Sequence, residues 1–287
     1  HHNFFRIDHP LNPKTKVAIL IPTKNRRDLL QGCLDSLRKT VPPELMDIVI
    51  IDHESDDVAT RELLQKESKS CTIAPYTGPF NFAAMMNLGA RSVPKGKHTH
   101  YLLLNNDTVA SHPGRLEHLA SLAQRPDVGA VGATLLYPDH SIQHSGVIFG
   151  LAGPADHAHK FHTHGTMGTN GSLFAVRDYS AVTAACMIVP SSAFEAVNGF
   201  DESFAIGINK AKYENEQFNK DYLLGVELSG YFTWAIFTTI GAINGSYISD
   251  FEAFGLDFAL PAMFIGLLAL LTLLNIPMAY SLIRIVS

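Results

Sequence analysis

Cysteine is scarce in this sequence, three among 287 residues, so no disulfide framework holds the chain together. Positive charge is also short. The 22 Lys plus Arg against 27 Asp plus Glu leave a formal charge of -5, which argues against a dedicated nucleic-acid binder. Neither GxxxxGK[ST] nor GxGxxG occurs, so P-loop and dinucleotide-binding folds lack their fingerprint. HExxH and GxSxG are missing too, which removes the usual signs of a zinc protease or a serine hydrolase. No signal peptide is expected at the start, because Asp8, Lys14 and Lys16 interrupt any apolar run there. Charge is thin in the tail, where Asp250, Glu252, Asp257 and Arg284 are the only charged residues after Leu228. All fourteen histidines lie before residue 165. A hydrophobic content of 46% excludes disorder, and the length suits one large domain or two small ones.

The front of the chain reads as alternating strands and helices. Val17 to Ile21 is a short apolar run, as in a strand buried on both faces, and Pro22 stops it. Leu29, Leu30, Cys33, Leu34 and Leu37 predict a helix over Arg26 to Lys39. Asp47 to Ile51 repeats the strand pattern, ending at Asp52, and a helix rich in Glu and Lys follows. Cys71 to Ala74, a helix from Phe82 to Ser92, and a strand from His100 to Leu104 complete the run. This pattern predicts an α/β fold with a parallel sheet covered by helices on both faces. After Ala130 the sheet is expected to turn mixed, through residues such as Ile142 to Phe149.

The tail differs. Leu228 to Ser249 and Phe258 to Ile283 are uncharged runs of 22 and 26 residues, each long enough for a membrane-spanning helix. Two transmembrane helices are therefore expected, a membrane hairpin over 228–283 joined to the front domain by a linker at 206–227. Lys210, Lys212 and Lys220 precede the first run and Arg284 follows the second, while the loop between has no Lys or Arg. That bias places the front domain and the C-terminus on the cytoplasmic side of an inner membrane.

In open α/β sheets ligands bind beyond the carboxyl ends of the strands. The polar residues there are Pro22-Thr23-Lys24, Asp52-His53 and Asn105-Asn106-Asp107. Asn105-Asn106-Asp107-Thr108 follows the apolar YLLL directly, which sets Asp107 where a carboxylate can share Mg²⁺ or Mn²⁺ with a diphosphate. The same residue also reads as a turn cap.

Taken together, VAILIPTKNR at 17–26, IIDHESDD at 50–57, NFAAMMN at 81–87 and LLNND at 103–107 resemble the inverting glycosyltransferases of family 2, with their GT-A fold. IQHSGV at 142–147, AVTAAC at 181–186 and GFDE at 199–202 continue the likeness, which covers residues 14–205 and is nearest to the rhamnosyltransferase-like members. The resemblance implies a nucleotide-sugar-binding sheet that takes a nucleotide-diphosphate sugar as donor and a cell-surface polysaccharide or glycolipid as acceptor. It implies that Pro22, Thr23, Asn25, Asp52, Asn81, Asn87 and Asn106 line the donor nucleotide, and that Asp107 holds Mg²⁺ or Mn²⁺. It places Thr183, Ala184 and Cys186 on the acceptor side, with Cys186 also readable as a small buried hydrophobe. A helix cap accounts for Asn81 almost as well. The resemblance implies that His144 and His157 stand where acceptor or diphosphate would touch them, and both also read as residues of a solvated loop. The cluster His144, His157, His159, His162 and His164 is dense enough for zinc but lacks cysteines.

The resemblance breaks after GFDE. The family follows it with an acidic motif that supplies the general base, whereas Ile206-Gly-Ile-Asn-Lys-Ala-Lys212 offers no carboxylate. The acceptor-side helices are missing too. Residues 224–234, 241–245 and 255–264 resemble instead the azaleucine-resistance type of branched-chain amino acid exporter, with a junction inside 201–205. The expectation is a glycosyltransferase of hexosyl or rhamnosyl type, impaired by loss of its base and seated in a lipid bilayer. The alternative is an inactive nucleotide-sugar-binding fragment fused to part of an amino acid permease.

Overall fold

The computed structural model describes residues 9–149, 155–168, 171–203 and 283–286. By its contacts the chain divides into two compact units, residues 1–209 with 281–287, and residues 210–280. The second unit lies outside the described residues. So do the linker, the exporter-like stretches and the expected membrane hairpin, apart from Ile283. Among the described residues no helix is long and apolar enough to cross a membrane.

The first unit is built on an eight-stranded sheet among the described residues. Four parallel strands form one half: β1 (Val17–Thr23), β2 (Met46–His53), β3 (Thr72–Tyr76) and β4 (His100–Leu104). Helices α1 (Arg27–Thr40), α2 (Val58–Glu67) and α3 (Phe82–Arg91) make the crossovers between them, as parallel strands require. The chain then forms α4 (Arg115–Ala123) and β5 (Ala130–Ala133). Four short strands pair in two antiparallel ladders: β6 (Leu135–Leu136) with β7 (Ile142–His144), and β8 (Val147–Phe149) with β9 (Ala155–His157). After β10 (Arg177–Tyr179), strand β11 (Cys186–Pro190) returns antiparallel between β4 and β5, followed by α5 (Ser191–Ala196). β12 (Ile283–Val286) lies between β5 and β10, so the spatial order is β10-β12-β5-β11-β4-β1-β2-β3.

Alternation along β1 explains the two layers. Val17, Ile19 and Ile21 pack with Leu30, Cys33 and Leu34 of α1, Leu63 and Leu64 of α2, and Leu116 and Leu119 of α4. Ala18 and Leu20 face the other way, onto Met85 and Met86 of α3 and Phe194 of α5. The first five β1 residues, Val17 to Ile21, are fully buried, which is why the strand reads as a continuous apolar run. Gly89 lets α3 come close to the sheet: a Cβ there would stand 2.9 Å from Ile51 Cδ1 and 3.3 Å from Leu20. Pro22 is tolerated in this central strand because pairing with β4 ends at Leu20, so its missing N–H opens no gap on that side. The predicted helix start moves by one residue. Arg26 is the N-cap of α1, in a left-handed conformation with φ 58°.

Candidate functional site

The parallel strands deliver their carboxyl ends to one edge of the sheet. Register puts Thr23 of β1 beside Asp52 of β2, and β4 releases its chain at Leu104 into Asn105-Asn106-Asp107. Side chains then tie the three loops together. Thr23, buried, accepts from Asn106 Nδ2 at 3.0 Å and donates to the Asn25 carbonyl at 3.2 Å. The Asn25 N–H donates to Ser55 Oγ at 2.8 Å, and the Ser55 N–H donates to Asp52 Oδ1 at 3.2 Å. Asn25 Oδ1 accepts the N–H groups of Asp56 and Asp57 at 2.9 and 3.1 Å, while its Nδ2 donates to Asp56 Oδ1 at 2.7 Å. The residue type is required here. Asn25 stands at φ 57°, a region asparagine tolerates, and its short amide reaches the backbone of the neighbouring loop.

Asp107 is exposed at the tip of the third loop. It lies close enough to Cys33 that, after burial and Cys186, its charge helps push that thiol up to about 12. Burial alone pushes Cys186 to about 12 as well. Neither thiol is a nucleophile near neutral pH, and both serve as small core residues. The segment before β11 closes this side of the edge. The Asn105 N–H and Thr108 Oγ1 both donate to the Ala185 carbonyl, at 3.0 and 3.3 Å, and Thr183 Oγ1 accepts from the Ala185 N–H at 3.3 Å.

His144 and His157 meet. Their Nδ1 atoms are 2.6 Å apart, and the rings stand edge to face at 4.8 Å between centroids. The Thr183 N–H donates to His144 Nε2 at 3.4 Å. This acceptor role leaves the proton of a neutral His144 on Nδ1, facing His157 Nδ1. Burial, then the neighbouring His157, lowers His144 to about 3. Burial, then Lys160, lowers His157, with Asp156 opposing. The unfolded imidazoles therefore bind protons first. The stability conferred by the neutral pair is complete above about pH 6.5 and is lost as the pH falls from there toward 3. At about pH 5 the loss from His144 is up to roughly 2 kcal/mol. In urea unfolding, His144→Gln is expected to flatten the drop in midpoint between neutral pH and about pH 5; an unchanged drop would mean that His144 is not the titrating group.

Asn81 and Asn87 are occupied elsewhere. Asn81 caps α3, accepting from the Ala84 N–H at 2.9 Å, and donates to the Glu202 carbonyl at 2.7 Å. Asn87, buried, donates to the Phe200 carbonyl and to Glu202 Oε1, both at 2.9 Å, and accepts the Phe200 N–H at 2.9 Å. These bonds hold the GFDE turn against α3. Gly199 makes that fit possible, since it sits at φ 79° and a Cβ would fall 2.4 Å from Asn87 Oδ1. Neither asparagine bonds to the Thr23–Asn106 network.

One contributor escaped the sequence reading. Ser55 carries the link from Asp52 to Asn25, and its signal was the Asp-x-x-Ser spacing of a capping turn. His53, next to Asp52, is buried with Nε2 2.8 Å from the Gly78 carbonyl and packs edge-on to Tyr76 at 5.3 Å. Among the described residues no group of three or more His, Cys, Asp or Glu is placed to hold a metal by itself.

Residues 18–174, more than half of the chain, match the family model described as Glycosyl transferase family 2. The chain is 34% identical over 204 residues to the O-antigen biosynthesis protein RfbC of Myxococcus xanthus, covering 70% of this chain and 16% of that protein. It is 32% identical over 202 residues to protein y4gI of Sinorhizobium fredii, covering 69% of this chain and 22% of that one. The chain thus spans less than a quarter of either relative. Among solved structures it is similar to the mannosyltransferase PcManGT from Pyrobaculum calidifontis in complex with GDP-Man and Mn2+, with 14% identity and a TM-score of 0.46, over 68% of this chain and 50% of that one.

Proposed function

This chain belongs to glycosyl transferase family 2, and from that premise we propose that it handles a nucleoside-diphosphate sugar in the assembly of a surface polysaccharide or glycolipid. The observation that carries the proposal is the bonded rim joining the ends of β1, β2 and β4 through Asn106, Thr23, Asn25, Ser55 and Asp52. Such a rim is preorganised, so little ordering remains to be done when a polar ligand arrives. Asp52, oriented by the Ser55 N–H, is suited to a ribose hydroxyl. The O-antigen role of the Myxococcus xanthus relative supports a polysaccharide product.

The residues fit a divalent ion of the magnesium type. Asp107 is an exposed hard-oxygen donor at the mouth of the rim, and no third ligating side chain is needed where the diphosphate supplies the remaining oxygens. A bound Mg²⁺ or Mn²⁺ would neutralise charge on the departing diphosphate. Asp107 and Asn106 would hold it, and the 183–185 segment would present the acceptor hydroxyl from the β11 side. The donor sugar is proposed to be a hexose or rhamnose. An inner membrane, with this domain on the cytoplasmic face, is the proposed location, on the Lys and Arg distribution around the tail.

Transfer is proposed to be slow. Asp201 Oδ1 already accepts from Ser203 N and Oγ at 2.9 and 2.7 Å. Glu202 is held by Asn87 and lies 3.7 Å from Arg91. Both carboxylates nearest the missing base are thus taken up by the turn. Calorimetric titration with uridine, thymidine and guanosine diphosphates, with and without Mn²⁺, tests the donor reading. At least one should bind, more tightly with metal; no binding of any of the three would overturn it.

A further inference from the structure

We propose that Tyr137, Phe161 and Lys160 form a carbohydrate-stacking subsite that grips the acceptor glycan outside the reaction centre; this rests on the glycosyltransferase reading above. Phe161 and Tyr137 lie nearly parallel, planes 9° apart and centroids 5.5 Å apart, an offset stack in which Tyr137 backs part of the Phe161 ring and fixes its plane. Phe161 is nevertheless 69% exposed, and the Lys160 ammonium stands 5.2 Å from its centroid.

A lone exposed phenylalanine would need no explanation. This one is held in place at a cost. Its backbone is at φ 65°, and His140 and His159, at 65° and 55°, share the same corner. Three of the seven left-handed non-glycine residues among the described residues are therefore Phe161 itself, His140, whose N–H donates to the Tyr137 carbonyl, and His159, whose carbonyl accepts from the His162 N–H. Such conformations persist only where neighbouring structure enforces them, and they gather at ligand-holding sites. The enforcement here is explicit. The Phe161 N–H donates to the Ile142 carbonyl at 2.7 Å, the Ile142 N–H to the His162 carbonyl at 2.8 Å, and the Tyr137 N–H to the Ser141 carbonyl at 2.8 Å. An aromatic ring that packs poorly yet is fixed by its backbone does not serve the core.

The surroundings select the ligand. Residues 138–140 and 161–167 are all exposed and mostly polar, and Asp139 Oδ1 is already oriented by Ser141 N and Oγ at 2.9 and 2.7 Å. A protein or bilayer partner would need a broad apolar area. A pyranose needs what is present: a flat electron-rich face for its axial C–H groups, and fixed hydrogen-bonding groups for the hydroxyls on its edge. Phe161 also pairs with Ile142, two residues along β7 from His144, whose ring accepts from Thr183. Two strand residues span about 7 Å, so the platform flanks the acceptor-side segment and would hold a sugar beyond the one that reacts.

Saturation-transfer NMR on the full chain, with linear trisaccharides of rhamnose, mannose and N-acetylglucosamine as probes, tests this. At least one probe should bind the wild type, with saturation strongest on axial C–H protons. Phe161→Ala should weaken that binding about tenfold, and Phe161→Trp should keep it. Phe161→Gly relieves the φ strain, so it should raise the melting temperature while losing the glycan, the reverse of what a packing role would give. Unchanged binding in Phe161→Ala, or no probe binding the wild type, would overturn the subsite. Glycan binding that depends on Phe161 in a chain that binds no nucleoside diphosphate would leave the subsite standing and remove the donor reading instead.

Discussion

Asp107→Asn is expected to remove most of the metal dependence of nucleoside diphosphate binding while leaving metal-free binding nearly unchanged. The substitution keeps the size and the turn and removes one charge, at a residue exposed beyond the end of β4. A magnesium-type site built on a single protein carboxylate has no second protein carboxylate to compensate. Any residual sugar transfer should fall by about 10²–10³-fold, the usual cost of deleting one group aimed at developing charge. Paired titrations with and without Mn²⁺ check the binding, and donor turnover with a glycolipid extract checks the rate. Identical titrations for wild type and variant would take Asp107 out of the metal site. The rim should be indifferent to the change, because Asn106, Thr23, Asn25 and Ser55 are bonded to one another and not through Asp107.

Arg38→Ala is expected to be the costlier change for stability. Glu67 closes α2 with its side chain 2% exposed and is met by both Arg38 guanidinium nitrogens, Nη1 at 3.3 Å and Nη2 in close contact. The Arg38 hydrogen bond holds the Glu67 carboxyl below its usual range, burial opposing. Removing the arginine leaves a buried carboxylate with only the Cys71 thiol at 3.8 Å. Breaking a fully buried pair costs about 3–5 kcal/mol. Arg38 is 38% exposed, so solvent screening lowers the expectation to about 2–3 kcal/mol. The sign with pH follows. A depressed carboxylate pKa gives stability that is present above the unfolded value, about 4.3, and lost as the pH falls through the folded value. Urea midpoints of wild type and Arg38→Ala should therefore lie far apart at neutral pH and converge in acid; a constant gap would show that the lost term is packing and not charge.

How much of this was legible depended on range. β1 and β4 were readable because both faces of each are covered, so apolarity runs unbroken through Val17–Ile21 and Tyr101–Leu104. α4 was missed, since it follows Gly114 in a stretch whose Ser, His and Pro read as loop. α5 has six residues, too few for a period to show. β11 was not placed as a strand, with only its first residue, Cys186, in a motif, because its place between β4 and β5 is a non-local fact. The site follows the same division. Thr23, Asp52 and Asn106 announce themselves at strand ends. The partners of Asn87 stand 113 and 115 positions away, and no local pattern encodes them. Ser55 was hidden by its ordinariness, a small polar residue among four acids in the stretch Asp52–Asp57.

The reversal at the β4–β11 seam has a further consequence. Because β11 runs against β4, with Leu104 opposite Cys186, the chain enters β11 at the same edge where it leaves β4. The described residues between β7 and β10 then hang from fixed points on either side, the buried His144 before them and, after them, β10 within the sheet and the Ala185 carbonyl clasped by the Asn105–Thr108 loop. A segment hung in this way is an exchangeable cassette. It can lengthen, shorten or change its side chains as loops do, while the register of β11 keeps the donor edge in frame.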